Sequence, residues 1–152
     1  MTSEQTRPPL VHGVRIRPGD TDLQGIVHAA KYGSFFEAAF VEAFRAVAGS
    51  FEFLASTGVD LVMAEITIRY KSPARFDDLL EIAVMLRHIG TTSLIIGYQG
   101  SVEGREVVLA SARYVAFAPG EFKKTAIPPK LREVFDRIPS EPAEVAAQWA
   151  GR

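Results

Sequence analysis

The sequence contains no cysteine. Disulfide staples, thiol nucleophiles and cysteine-ligated zinc are thereby excluded, and the composition suits a reducing compartment. Histidine is scarce: His12, His28 and His88 are the only three, and they share no metal-ligand spacing. Neither sign of charge dominates, since 17 basic residues against 18 acidic ones leave a formal charge of −1. No whole-protein field therefore draws nucleic acid or an anionic membrane. Long apolar runs are missing, and the opening stretch to Leu10 is polar and broken by Pro8 and Pro9. It reads as neither signal peptide nor membrane span, so the expectation is a cytoplasmic protein without membrane insertion or a nucleic-acid partner.

What is present is a folding composition. Hydrophobic residues make up 47% of 152 residues and charged ones 23%, enough for one buried core and too short for a second catalytic domain. No repeat or simple-sequence linker divides the chain, and only its ends look detachable: residues 1–9 and the stretch after Pro139.

Val14 and Ile16 alternate with Arg15 and Arg17, the period of a half-buried strand, which Pro18-Gly19 ends. Tyr32, Phe35, Phe36, Ala39, Phe40, Ala43, Phe44 and Val47 then fall on one stripe of a helix of four to five turns. Gly49 stands where a left-handed C-terminal cap is usual. Four phenylalanines on one stripe need a sheet to cover them. The alternation from Leu61 to Tyr70 predicts one long strand, and Leu79–Ile89, Ser93–Val102 and Val107–Phe117 predict three more in an antiparallel meander. Pro128-Pro129 opens an amphipathic segment to Ile138, and Ser140–Trp149 suits a last short helix. The layout is α+β, a long helix set against a curved antiparallel sheet of about five strands.

The chemistry-bearing residues crowd into the turn between the first strand and the helix, from Arg17 to His28. Free N–H groups and the dipole at a helix N-terminus stabilise a carbonyl oxygen that gains negative charge. Asp20 and Asp22 are equally at home as turn and capping residues, which is the commoner use of Asp beside Gly.

Asp20-Thr21-Asp22-x-x-Gly25-Ile26-Val27, followed by Tyr32 and by Phe36-Glu37, closely resembles the signature of hot-dog-fold acyl-CoA thioesterases of the 4-hydroxybenzoyl-CoA thioesterase type, including the Tol-Pal-associated branch. The resemblance continues through Ile68-Arg69-Tyr70-Lys71-Ser72-Pro73-Ala74-Arg75-Phe76 and Ile89-Gly90-Thr91-Thr92-Ser93-Leu94 to Ile127-Pro128. It implies a hot-dog domain over residues 10–139, between a flexible tail (1–9) and a C-terminal helical extension (140–152). It implies an acyl-CoA substrate, no metal or organic cofactor, and a homo-oligomer, dimer or tetramer, whose sheets join.

By motif position the resemblance assigns catalysis to Asp22, the oxyanion-binding N–H to Ala29 and the tight loop to Gly25, with Glu37 as a hydrogen-bonding support for that loop. Substrate contacts are expected at His28, Lys31, Tyr32, Lys71 and Ser72, and a basic patch for coenzyme A phosphates among Lys71, Arg75, Arg87, Lys123 and Lys124. His28-Ala29-Ala30 stands where the Tol-Pal branch commonly has Tyr-His-Ala, and adjacent residues entering a helix point about 100° apart, so His28 is not that branch's histidine. Two other readings share the fold: a non-hydrolytic binder of acyl-CoA or acyl carrier protein, and a hydratase or dehydratase.

Overall fold

The computed structural model describes residues 9–150. All of the expected tail except Pro9 lies outside the described residues. Strand β1 (Leu10–Arg15) leads through a 3-10 turn (Pro18–Asp20) to helix α1 (Lys31–Ala48) and a short helix α2 (Phe53–Ser56). Strands β2 (Asp60–Tyr70), β3 (Leu79–Ile89), β4 (Ser93–Val102), β5 (Arg105–Ala118) and the two-residue β6 (Lys123–Lys124) follow. Helices α3 (Pro129–Phe135) and α4 (Ala143–Ala146) and a 3-10 turn (Ala147–Trp149) complete the described elements.

The sheet runs β1-β3-β4-β5-β2, every neighbouring pair antiparallel, with β6 added to β5. The expected meander holds for β3, β4 and β5. Strand β2 does not pair with β3, which follows it, but crosses to the far edge beside β5, with Ile66 opposite Ala112. Irregular register in β2, β3 and the β4–β5 pair bends the strands, as bulges do, and the sheet curls. Gly100 belongs to this curl: a Cβ there would come 2.7 Å from Val108 Cγ1.

Helix α1 is 18 residues long, about 27 Å at ~1.5 Å per residue, and lies in the concavity. Its predicted stripe is the buried one, with Phe36, Ala39 and Phe44 wholly inaccessible. Phe36 stacks on Tyr98 of β4 (ring centroids 4.9 Å) and Phe40 on Tyr114 of β5 (4.6 Å). Phe44 meets Phe135 of α3 edge-on, so α3 closes the core at the far end of the helix. The cap at Gly49 has φ 89°, and its N–H donates to the Arg45 carbonyl.

The segment after Pro139 is not detachable. It forms a parallel bridge from Ser140 to Leu86 and crosses the outer face of the sheet, where Val145 and Trp149 cover Met85 and Leu109. The guanidinium groups of Arg69 (4.3 Å) and Arg87 (5.1 Å) both lie over the Trp149 ring. Arg87 also pairs with the Glu141 carboxylate and donates to Ser111 Oγ at 2.7 Å. Arg87 therefore anchors the strap, which corrects its expected place in a basic patch for coenzyme A phosphates: a strand charge looks exposed until the covering segment is laid over it.

Candidate active site

The loop before α1 is a miniature hairpin. Thr21 bridges Val27, the Asp22 N–H donates to the Ile26 carbonyl (2.9 Å), and the Gly25 N–H donates to the Asp22 carbonyl (3.0 Å). Gly25 has φ 76°, the left-handed conformation that glycine adopts without steric penalty, and this reverses the chain. Asp22 Oδ1 accepts from the N–H groups of Gln24 (2.8 Å) and Ile26 (3.3 Å), while Oδ2 has no hydrogen-bond partner among the described residues. Asp22 thus fills the turn-capping role and still presents one carboxylate oxygen.

The hairpin is stitched to the segment after β2. The Val27 N–H donates to the Ala74 carbonyl (2.9 Å), the Phe76 N–H to the Gly25 carbonyl (3.3 Å), and Ile26 bridges Arg75. Asp20 works differently from Asp22. Its Oδ2 accepts from the Arg17 N–H (2.9 Å), its carbonyl accepts from the His28 N–H (3.0 Å), and its Oδ1 lies 3.7 Å from Lys31 Nζ. His28 is thereby tied to the base of the hairpin. It lines one open cleft with Pro18, Thr21, Asp22, Leu23 and Gln24. Leu23, at the tip, is fully exposed.

Helix α1 begins at Lys31, with Ala30 as its N-cap. The His28 carbonyl accepts from the Lys31 N–H at 3.0 Å, pointing toward the helix, so in a trans peptide the Ala29 N–H points the other way. That N–H meets no acceptor among the described residues. Ala29 is exposed, and its carbonyl accepts from the Tyr70 hydroxyl at 3.0 Å. Tyr32 is buried under this junction, edge-on to Tyr70, and burial raises its phenol above the ordinary range against the opposing pull of an Ala74 backbone hydrogen bond.

The remaining expected residues separate. Glu37 is exposed one turn and a half into α1 and forms no hydrogen bond to the loop, which corrects its expected supporting role. It lines a second groove of about 350 Å³ with Gly33, Phe40, Phe51, Leu61, Met63 and Tyr114. Lys31 is paired to Asp20 with its side chain 44% exposed. Lys71 is exposed beyond the end of β2, and Ser72 Oγ donates to the Glu106 carbonyl (2.7 Å) and accepts from Arg105 (2.5 Å). Lys123 and Lys124 lie on β6, opposite the Phe117 end of β5 and not beside the hairpin. Two residues escaped the sequence reading. Tyr70 stood inside a quoted motif without a role, and Arg105 follows the Glu103-Gly104 turn. The β2–β5 pairing, invisible in local pattern, brings Arg105 to Ser72 and to the Pro73 carbonyl (2.9 Å).

The family model for the thioesterase superfamily matches residues 24–109. The chain belongs to the thioesterase superfamily. The acyl-CoA thioester hydrolase YbgC of Escherichia coli O6:H1 is 33% identical over 124 residues, covering 80% of this chain and 92% of that protein. The gentisyl-coenzyme A thioesterase BH1999 is 25% identical, with a TM-score of 0.73 over 82% of this chain and 98% of its own. The 1,4-dihydroxy-2-naphthoyl-CoA thioesterase Slr0204 of Synechocystis, 18% identical, shares the fold with a TM-score of 0.75 over 85% of this chain and 96% of its own. This member of the superfamily has the hot-dog fold and is a thioester hydrolase. The matched span begins two residues after Asp22. Among the described residues no helix is long and apolar enough to cross a membrane, and no group of three acidic or histidine side chains is placed to hold a metal.

Proposed function

We propose that this thioesterase hydrolyses acyl-CoA to a free carboxylic acid and coenzyme A, with the Asp22 carboxylate as general base or nucleophile and the Ala29 N–H as an oxyanion donor. The observation that carries the assignment is the free Asp22 Oδ2 in the cleft shared with His28, one residue before the unpaired Ala29 N–H.

As general base, Asp22 takes a proton from water while the oxygen adds to the thioester carbonyl. The N–H groups bind the oxyanion, the C–S bond breaks, and the thiolate leaves with a proton returned from Asp22. As nucleophile, Asp22 forms an acyl anhydride with loss of the thiolate, and water then releases the acid. Single turnover in 18O-labelled water tests the anhydride: label in the Asp22 side chain with an unlabelled acid shows an anhydride opened at the Asp22 carbonyl, whereas the general-base route labels only the acid.

His28 lines the cleft, Lys31 is tied to its loop through Asp20, and Tyr32 is buried beneath the helix entrance. Lys71, Arg75 and Arg105 supply positive charge beside the loop for the coenzyme A phosphates, with Ser72 held among them. The reaction needs no metal or organic cofactor. The protein works in the cytoplasm as a homo-oligomer, dimer or tetramer. Strand β2 favours self-association, since it is an 11-residue edge strand with one side unpaired among the described residues, and long bare edges recruit partners.

Asp22→Asn is the decisive test. Asn keeps one oxygen for the Gln24 and Ile26 N–H groups, so the loop survives while the carboxylate is lost. Turnover of acyl-CoA should fall at least about a hundredfold with an unchanged circular dichroism spectrum. Wild-type turnover in this variant would end the assignment, and a strict monomer by light scattering would end the oligomer.

A further inference from the structure

Tyr70 is spent on something other than the core. It closes β2 with 53% of its surface exposed, yet its hydroxyl reaches across to the Ala29 carbonyl at 3.0 Å. That carbonyl lies just outside α1, and no backbone N–H of the described residues donates to it. Among the described residues the phenol is therefore the one group holding the Ala29–Ala30 peptide. The preceding peptide is held independently, by the His28 carbonyl accepting from Lys31. Together the two bonds set both peptide planes that flank Ala29. Because carbonyl and N–H point opposite ways across a trans peptide, the Tyr70 bond also aims the Ala30 N–H.

The phenol itself is held in place. Its ring meets Tyr32 edge-on with centroids 5.6 Å apart, and Tyr32 is 3% exposed. The Ala74 backbone in turn pulls on the Tyr32 phenol, and the Ala74 carbonyl receives the Val27 N–H of the active-site loop. Strand β2, the loop and the helix entrance thus meet at one aromatic pair.

We infer that Tyr70 is a positioning residue of the thioesterase reaction: its hydroxyl fixes the Ala29–Ala30 peptide, so that the Ala30 N–H is aimed at the oxyanion as a second donor beside the Ala29 N–H before the oxyanion forms. Preorganised donors act in the transition state, where the carbonyl oxygen carries charge, more than in the ground state. Loss of the hydroxyl should therefore reduce kcat and leave KM nearly unchanged. The inference rests on the oxyanion reading given above.

The experiment is Tyr70→Phe in the full chain, assayed with the acyl-CoA that gives the highest wild-type turnover, with Asp22→Asn and Tyr70→Leu measured in parallel. Tyr70→Phe keeps the ring on Tyr32 and removes one oxygen. The expected result is a fall in kcat of about tenfold, KM within about twofold and an unchanged melting temperature. Tyr70→Leu also removes the ring contact and should lower the melting temperature as well as kcat. Unchanged kcat in Tyr70→Phe, or a loss of kcat/KM carried by KM alone, overturns the role of Tyr70 while an inactive Asp22→Asn leaves the site standing. A fully active Asp22→Asn overturns both.

Discussion

The hydroxyls of Tyr98 and Tyr114 share a hydrogen bond of 2.5 Å between β4 and β5, beneath the phenylalanines of α1. Burial is the largest cause raising both phenols, that of Tyr114 to about 12 and that of Tyr98 well above its ordinary value, and the charge of Glu37 pushes each the same way. A raised pKa stabilises the fold below the unfolded value near 10, and that contribution is lost as pH rises through the folded value. Stability should therefore fall from about pH 10 upward, by roughly 3 kcal/mol for Tyr114 once its folded pKa is passed. Phenolate absorbance should show these two tyrosines ionising only with unfolding followed by circular dichroism. Early ionisation of all four tyrosines in the folded protein would contradict this pair.

Two glycines predict opposite signs. Gly25 has φ 76° and open space where a Cβ would stand, so Gly25→Ala meets only the backbone penalty of the left-handed conformation, about 1–2 kcal/mol. The variant should lose stability in urea titrations and lose activity, since the Asp22 turn is disturbed. Gly33 also has open space around it but lies inside α1, where Ala is favoured by roughly 0.5–1 kcal/mol. Gly33→Ala should raise the urea midpoint.

The strap over the outer face should be worth more than its length suggests. Trp149→Ala removes two cation–π contacts and the cover over Met85 and Leu109, at a cost of about 2 kcal/mol. Ending the chain after Pro139 also strips Arg87 of Glu141 and exposes Leu109, which is wholly buried in the full chain. The truncated chain should melt lower than Trp149→Ala; equal melting temperatures would show that the strap apart from Trp149 contributes nothing.

Phe36→Ala should be among the most damaging single changes. Phe36 is completely inaccessible and stacks on Tyr98, and the deleted ring leaves a cavity between helix and sheet. Calorimetry should show a loss of about 3–5 kcal/mol with the hot-dog fold retained.

Helix α1 was legible because its buried residues recur with the helical period, and burial is what that period encodes. The strands were legible for the same reason at period two. The Asp22–Gly25 turn followed from local chemistry, an acid that caps and a glycine that takes positive φ. Arg87 was misread, since a charged residue on a strand looks exposed until the segment carrying Glu141 and Trp149 is laid over it. Glu37 was misplaced because a position on a helix flank does not say which neighbour the flank faces.

Alternation states which face of a strand is buried and leaves open which strand lies beside it. Local pattern and motifs were enough for helix α1, strands β1 to β5, the core stripe, the tight turn at Gly25 and the superfamily. The tertiary structure alone decided that β2 lies beside β5, that Arg105 reaches Ser72, and that Tyr70 holds Ala29 from 41 residues away. Periodicity is a property of consecutive residues, whereas these contacts are closed by the whole sheet curling around one helix.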